Sequence, residues 1–192
     1  MKTAGLHLLG DRDYLQGATI FDCIMNTYVI NQYEPGDIDF SIKKITNKIC
    51  LIVPAAKNAE NLLPELLIGE YEDNVNHFII QETGDLITER VPYDEDEITR
   101  GCIISGDNIS VSADILNYSF MKKAIAAYKF LLTSLYGKSY GRYLFARVQL
   151  KSLPDGGFSI KHDRIISNRF FQGTVMQNNV KSGNIFFGIR DK

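Results

Sequence analysis

Tryptophan is absent from this 192-residue chain, and cysteine, histidine and proline are scarce, with three, three and five residues. Cys23, Cys50 and Cys102 are widely spaced, and the sequence holds neither a CxxC pair nor a Cys/His cluster. This pattern argues against a disulfide framework and a structural zinc site. It predicts buried, reduced thiols in a reducing compartment, and hence a cytoplasmic protein with no metal and no cofactor.

Charge of one sign is also lacking, because 21 Lys and Arg balance 23 Asp and Glu to a formal net charge of -2. The chain therefore gives no electrostatic reason to expect nucleic acid or an anionic membrane as a partner. No run approaches 18 apolar residues, and the start of the chain is too interrupted to predict a signal peptide. With 45% apolar and 23% charged residues, the composition indicates a globular protein.

Two long helical patterns are the main features that the sequence does contain. Apolar residues recur at helical spacing from about Tyr14 to Gln32, with Asp13 as the candidate N-cap. The same spacing recurs from about Asn117, its own candidate cap, to Tyr136. Gly137 suits the left-handed position that ends many helices.

Most of the remaining sequence predicts strands, and the order of one helix followed by strands occurs twice. We expect strands at 38–45, 48–53, 75–82 and 86–91, and again at 109–115, 143–150, 158–166, 169–177 and 184–189. Thr83-Gly84-Asp85 resembles a hairpin turn, and the acidic run 94–97 is interpreted as a solvated linker. Phe40 and Phe145 are predicted to face their helices from equivalent positions.

The repeated order predicts an α+β protein of two units, residues 1–96 and 97–192. In each unit a curved antiparallel sheet wraps one long helix, because that arrangement buries the helix on one sheet face. A single α+β domain with one large curved sheet, such as a cystatin-like cone, is the alternative fold.

The segment that ends at Asp22 carries the most specific pattern. His7, a loop, Gly17 and then Asp22 five positions later resemble the active-site signature of hot-dog dehydratases acting on 3-hydroxyacyl carrier-protein thioesters. Gln16 replaces the usual Pro, and His7 lies one residue further from Asp22 than in that signature. Residues 13–22 are also similar to the helix-start motif of the A-factor (γ-butyrolactone) biosynthesis hot-dog family, whose members carry two such repeats.

This resemblance implies a tandem, or double, hot-dog fold that handles acyl thioesters in fatty acid or polyketide metabolism. The expected partner is acyl-CoA or acyl carrier protein, and a homodimer is compatible with this interpretation. The implied activity is that of a dehydratase, thioesterase or acyl-condensing protein, with Asp22 as acid or base and His7 as a second proton-transfer group. Gly17, Tyr14 and Met25 are the expected substrate-binding residues.

The residues themselves point to the same chemistry. Asp22 shares a helix face with Ala18, Met25 and Val29, so its carboxylate is predicted to be desolvated and able to exchange protons near neutrality. The equivalent position of the second helix is Ala126, so the second half is expected to lack this acid.

Other interpretations remain open at this point. Asp22 could lie at the edge of its helix, hydrogen-bonded to Arg12 or to a backbone amide, and His7 could be a surface residue. His77 and His162 are expected at half-exposed strand positions, and Lys122, Lys123 and Lys129 on a solvated helix face. A non-catalytic acyl or small-ligand binder, or an assembly protein, would have the same fold without the chemistry.

Overall fold

The structure is a computed structural model that describes residues 6–29, 34–55, 63–115, 117–137 and 141–190, apart from the side chain of Tyr28. The chain divides into two compact units, Met1–Tyr93 and Asp94–Lys192. None of the helices in the described ranges is long and apolar enough to cross a membrane.

The first unit combines one central helix with an antiparallel sheet. Its elements are β1 (Leu8–Leu9), α1 (Gly17–Ile24), β2 (Gly36–Ile42), β3 (Lys48–Pro54), β4 (Leu67–Glu72), β5 (His77–Leu86) and β6 (Arg90–Val91). Strands β3, β5, β4 and β2 lie side by side in that order and pair antiparallel, whereas β1 pairs with β6 in parallel. A π-helical turn, Met25–Val29, continues α1.

Helix α1 is the core of the first unit. The ring of Phe21 contacts Phe40 of β2 edge-on, with 5.4 Å between centroids, and Tyr71 of β4 at 6.2 Å. Phe40 is fully buried, which confirms its predicted inward orientation. Helix α1 begins at Gly17 with Gln16 at the N-cap position, so the predicted start at Tyr14 with an Asp13 cap was wrong. The predicted end of this helix, at residues 30–32, lies outside the described residues.

The strand predictions for the first unit were also partly wrong. Of the strand predicted at 86–91, Leu86 ends β5 and only Arg90–Val91 forms a separate strand. The turn predicted at Thr83-Gly84-Asp85 does not form, because β5 continues through it to Leu86. Gly84 keeps a backbone that any residue can adopt, and Leu86 pairs with Lys48 across a register shift. Strand β4 was not predicted at all.

The second unit contains a longer helix and a larger sheet. Its elements are α2 (Glu95–Arg100), β7 (Cys102–Ser105), β8 (Asn108–Val111), α3 (Phe120–Tyr136), β9 (Arg142–Ser152), β10 (Phe158–Ile166), β11 (Phe170–Gln177) and β12 (Val180–Arg190). The strands pair antiparallel in the order β9, β12, β11, β10, β8, β7.

Helix α3 forms close to its predicted position. Ser119, rather than Asn117, caps its start by accepting a hydrogen bond from Lys122 N at 3.3 Å, and Gly137 ends it with φ of 78°. Tyr128 packs edge-on against Phe187 of β12, with 5.3 Å between ring centroids. Lys123 is 8% exposed, which corrects its predicted place on a solvated face.

The acidic run 94–97 is a helix start rather than a linker. Asp94 Oδ1 accepts from Asp96 N at 2.9 Å and from Glu97 N at 3.2 Å, which makes Asp94 the N-cap of α2. Glu95 and Glu97 then bind α3 and the segment before it, through Lys129 Nζ at 2.7 Å and Tyr118 Oη at 2.6 Å. The boundary predicted after residue 96 falls inside α2.

Phe145 differs from its predicted counterpart Phe40, because it is only half-buried. Its ring lies edge-on to Phe187, with 6.1 Å between centroids. The pairing of β9 with β12 shifts register between Phe186 and Phe187, which interrupts the alternation of inward and outward residues at this point.

Candidate functional site

The loop that leads into α1 is fixed by a side chain from β6. The Arg90 guanidinium donates to the carbonyl oxygens of Gly10 and Arg12, the latter at 2.8 Å. The Arg12 guanidinium lies over the ring of Tyr93, 5.2 Å from its centroid. These contacts fix the conformation of the loop that connects the predicted site residues His7 and Asp22.

Gln16, which stands where the dehydratase signature has Pro, is buried directly before α1. When its amide oxygen faces Arg12, that oxygen accepts a hydrogen bond from Nη1 at 3.1 Å. The backbone carbonyl of Gln16 accepts from Thr19 N at 3.0 Å and from Ile20 N at 3.3 Å. Gln16 therefore fixes the first turn of the helix that carries Asp22.

One face of α1 is polar, although the helix is otherwise apolar and buried. Thr19, Asp22, Cys23 and Asn26 follow one another at helical spacing, so their side chains lie on one side of the helix. Thr19 and Cys23 are 2% and 8% exposed, Asp22 is half-buried and Asn26 is exposed. Asp22 thus lies on this polar face, at the border of the apolar stripe on which the sequence had placed it.

The polar face is not built for a cysteine nucleophile. Burial raises the pKa of the Cys23 thiol, and the negative charge of Asp22 raises it further, while a hydrogen bond with Thr27 opposes both. The thiol therefore stays protonated at neutral pH, and the thiolate is the nucleophilic form of cysteine. Asp22 supplies the carboxylate on this face.

Thr19 carries an unusual hydroxyl group. Its Oγ1 is buried and makes no hydrogen bond with any residue that the structure describes. A buried, unsatisfied hydroxyl costs about 1–3 kcal/mol, so native proteins seldom contain one without a reason. This oxygen lies one helical turn before Asp22 on the same face.

The other predicted site residues divide into two groups. Gly17, Asp22 and Met25 lie on one continuous helical segment, in which Met25 N donates to the carbonyl oxygen of Asp22. His7 and Tyr14 are half-buried in the segment before α1. The structure therefore brings three of the five onto one helix and leaves the other two ahead of it.

Met25 points into the core of the first unit. It is 3% exposed, and its sulfur lies 3.8 Å from the hydroxyl of Tyr71. That hydroxyl donates to Asp73 Oδ2 at 2.7 Å. Met25 and Tyr71 therefore form the apolar floor beneath the end of α1.

Sequence reasoning missed a buried carboxylate on β5. Glu82 Oε1 accepts from Lys44 Nζ at 2.7 Å, and Oε2 accepts from Thr46 Oγ1 at 2.8 Å. The Lys44 hydrogen bond is the largest cause that lowers the pKa of Glu82, helped by Thr46 and opposed by burial. Because Leu15 N donates to Thr46 O at 2.7 Å, this cluster ties the sheet to the start of α1.

The second unit contains a buried histidine that the sequence had predicted to be half-exposed. His162 of β10 is 8% exposed and lies between two tyrosines of α3. Its Nδ1 is 2.9 Å from Tyr128 Oη, and its Nε2 is 2.7 Å from Tyr136 Oη. Two tyrosines eight residues apart on one helical pattern, with a strand histidine, would have been the signal in the sequence.

Within the described ranges, no group of three or more His, Cys, Asp or Glu side chains is arranged to hold a metal ion.

Comparison with known proteins gives structural matches only. No family model matches the sequence, and no curated protein matches it. The structure is similar to a protein described as a thioesterase II from Thermobifida fusca YX, with a TM-score of 0.50, 7% identity and coverage of 99% of this chain and 91% of that chain. A monomeric dehydratase domain from a trans-AT polyketide synthase split module gives a TM-score of 0.48 at 12% identity, covering 99% and 95%.

The architecture and the first of these matches define the class of protein. A mostly antiparallel sheet with a long helix packed against it, matched over nearly the whole chain, is the hot-dog α+β fold. The chain therefore has the hot-dog fold. At 7% identity, the likeness extends to the fold and no further.

Proposed function

We propose that each of the two units is a hot-dog repeat and that the protein acts on acyl thioesters carried by CoA or by acyl carrier protein. The observation that carries this proposal is the half-buried Asp22 on the polar face of an otherwise buried α1. A titratable carboxylate at the border of an apolar core suits a substrate with a polar reacting group and an apolar chain. The thioesterase and dehydratase titles of the structural neighbours agree with this substrate class.

Asp22 is proposed to be the acid or base of the reaction. In hydrolysis, Asp22 accepts a proton from water as the water oxygen bonds to the thioester carbon. The C–S bond then breaks, and the proton passes to the leaving thiolate. In dehydration of a 3-hydroxyacyl group, a proton leaves C2 and the 3-hydroxyl departs as water, which also needs one positioned acid or base.

The start of α1 supplies donors for the carbonyl oxygen of the thioester. The backbone N–H groups of Gly17 and Ala18 lie in the first turn, where no intrahelical acceptor exists. Such N–H groups at a helix N-terminus stabilise an oxygen that gains negative charge. We assign Gly17 this role, with Tyr14 beside it and Met25 contacting the acyl chain.

His7 is proposed as the second proton-transfer group. Its position on the fixed segment before α1 is compatible with this role, since Leu8 N donates to Glu89 O at 3.0 Å. A reaction with one acid and one base would use both His7 and Asp22, whereas simple hydrolysis needs only Asp22.

The test compares Asp22→Asn with the wild type on butyryl-CoA and 3-hydroxybutyryl-CoA. The amide keeps the shape of the side chain and removes its titration, so turnover should fall roughly 10²–10⁴-fold while the fold persists. Asp85→Asn, at an exposed carboxylate of the same unit, is the matched control and should keep full turnover. Unchanged turnover of Asp22→Asn on a confirmed substrate would remove Asp22 from the mechanism.

A non-catalytic acyl or small-ligand binder, or an assembly protein, is the alternative function. A thermal melt separates them, because a desolvated carboxylate without a task should make Asp22→Asn more stable without changing any activity. Saturable binding of a non-hydrolysable acyl-CoA thioether, without turnover of either thioester, would favour the binder. A homodimer and a cytoplasmic location remain predictions.

A further inference from the structure

We infer that the Thr19 hydroxyl hydrogen-bonds the oxygen that exchanges a proton with Asp22 during turnover. This inference rests on the proposed function. In hydrolysis that oxygen belongs to the attacking water, and in dehydration it is the 3-hydroxyl of the substrate.

The first argument is the state of the hydroxyl itself. Thr19 is 2% exposed, and its Oγ1 has no hydrogen-bond partner among the described residues. A threonine in a helix ordinarily donates back to the carbonyl three or four residues earlier. Thr133 of α3 does so, with Oγ1 2.8 Å from Lys129 O. Thr19 therefore departs from a pattern that this same chain follows elsewhere.

The second argument is position. Thr19 lies in the first turn of α1, three residues before Asp22 and four before the buried Cys23, so the three side chains share one face. An oxygen held by Thr19 would lie beside the Asp22 carboxylate and near the first-turn N–H groups. Gln81 Nε2 is the other buried, unpaired side-chain atom in the described part of the chain, but it lies on β5 and not on this helix face.

The third argument is chemical. A hydroxyl can donate and accept at once, so it can orient an oxygen whose own proton points to a carboxylate. The Cys23 thiol is a weak donor and stays protonated, so it cannot orient this oxygen in place of the Thr19 hydroxyl. A hydroxyl left unpaired in the free protein is ready to bind without breaking an earlier hydrogen bond.

The experiment replaces Thr19 with valine, which keeps the shape of the side chain and removes only the hydroxyl. We expect kcat/KM for the acyl-CoA substrate to fall roughly tenfold to 100-fold, mainly through kcat, because the contact is to the reacting oxygen. We also expect Tm to rise by about 2–4 °C, since an unsatisfied buried hydroxyl is removed. Lower activity together with higher stability distinguishes a used hydroxyl from a structural one.

Two controls sharpen the result. Thr19→Ser keeps a hydroxyl and should retain most of the wild-type kcat. Thr133→Val removes the back-bonded hydroxyl of α3, so it should leave turnover unchanged and should not raise Tm. In the Asp22→Asn background, Thr19→Val should cause little further loss, because both residues act on one oxygen.

The outcomes separate this inference from the proposal on which it rests. If the wild type turns over a thioester and Thr19→Val turns it over equally fast, the role of Thr19 is wrong and the proposed function stands. A loss of turnover that Thr19→Ser shares fully, with a lower Tm in both variants, would also overturn it, since packing would then be the cause. A wild type inactive on every thioester tested would overturn both.

Discussion

The hydroxyl of Tyr128 lies 2.9 Å from Nδ1 of His162, on the opposite side of the ring from Tyr136, whose Oη lies 2.7 Å from Nε2. Tyr128 is fully buried, and His162 is the hydrogen-bond acceptor that the described residues offer it. We therefore expect Tyr128 to donate to Nδ1, because a buried hydroxyl proton without an acceptor is costly. In that arrangement we expect the neutral ring to hold its hydrogen on Nε2 and to donate it to Tyr136 Oη, which lies 2.7 Å away.

The first prediction is that the second unit loses stability as the pH falls from 7 toward 5. Burial lowers the pKa of His162, partly opposed by Asp163 and Asp107, so the unfolded chain with an ordinary pKa near 6.5 binds the proton first. The stabilising contribution is complete above about pH 6.5 and is lost as the pH falls through the lowered pKa of the folded state. Urea unfolding at pH 7 and pH 5.5 measures this loss, and His162→Gln should abolish it. An equal loss of unfolding free energy between pH 7 and pH 5.5 in the wild type and in His162→Gln would contradict the assignment.

The second prediction concerns the tautomer. Tyr128→Phe leaves Nδ1 without its buried donor and should cost about 1–3 kcal/mol, whereas Tyr136→Phe should cost less because Tyr136 is partly exposed. The nitrogen chemical shifts of His162 should identify the Nε2–H form in the wild type. A dominant Nδ1–H form would show that Tyr128 accepts rather than donates.

The third prediction compares the two phenylalanines, Phe40 and Phe145, for which the sequence predicted equivalent positions. Phe40→Ala should lower the free energy of unfolding by about 3–5 kcal/mol, because the ring is fully buried against Phe21. Phe145→Ala should cost clearly less, since Phe145 is half-buried. Denaturant midpoints of the two variants test the difference, and equal losses would mean that Phe145 is better packed than its exposure indicates.

The fourth prediction concerns stability at a lower pH than the one at which His162 titrates. Hydrogen bonds with Lys44 and Thr46 lower the pKa of Glu82, so its contribution is present above an ordinary pKa of 4.5 and disappears as the pH falls through the lower folded value. Glu82→Gln should flatten the dependence of stability on pH below about 4.5. Glu72→Gln, at an exposed residue of β4, is the control and should leave that dependence intact.

The fifth prediction concerns the cap of α2. Asp94→Ala removes the acceptor of two first-turn N–H groups and should cost about 0.5–2 kcal/mol. Asp96→Ala, in the same exposed turn, removes a charge but not the cap and should cost less. Thermal melts of both variants measure the difference, and hydrogen exchange of residues 95–100 locates it.

The periodicity of the sequence predicted α3 and the strands β8 to β12 of the second unit at about their observed positions, whereas α2 and β7 were not predicted. The strand Phe158–Ile166 was predicted to the residue. Helix α3 begins at Phe120 rather than at about Asn117 and ends at Tyr136 as predicted, because clear periodicity and Gly137 mark it. Strand β4 escaped prediction since Leu67–Glu72 lacks strict alternation. A Cβ at its Gly69 would collide with Ser41 O of β2, a requirement of packing that local sequence does not express.

The candidate site was predicted only in part. The spacing of Gly17 and Asp22 in the sequence marked the helix, and Asp22 is half-buried there. The unpaired hydroxyl of Thr19 could not be predicted, because the sequence does not show whether a side-chain hydroxyl reaches a backbone carbonyl oxygen. The run 94–97 misled for a different reason: acids favour both solvated linkers and helix N-termini, and only the Asp94 hydrogen bonds distinguish the two.

Gly173 of β11 lies opposite His162 in the sheet. Because glycine has no side chain, it leaves space for the contact between His162 and Tyr128. A Cβ at this position would stand 2.9 Å from two atoms of the Tyr128 ring and 2.9 Å from Ile160 Cγ2. One methyl group on a neighbouring strand would therefore push the phenol away from the histidine without touching either residue's own chemistry. In a saturation screen, position 173 should thus tolerate glycine alone. The Gly173→Ala variant should no longer show the loss of stability between pH 7 and pH 5 that is predicted for His162. The response of His162 to acid therefore depends on the absence of a side chain at position 173, because every residue type other than glycine carries a Cβ there.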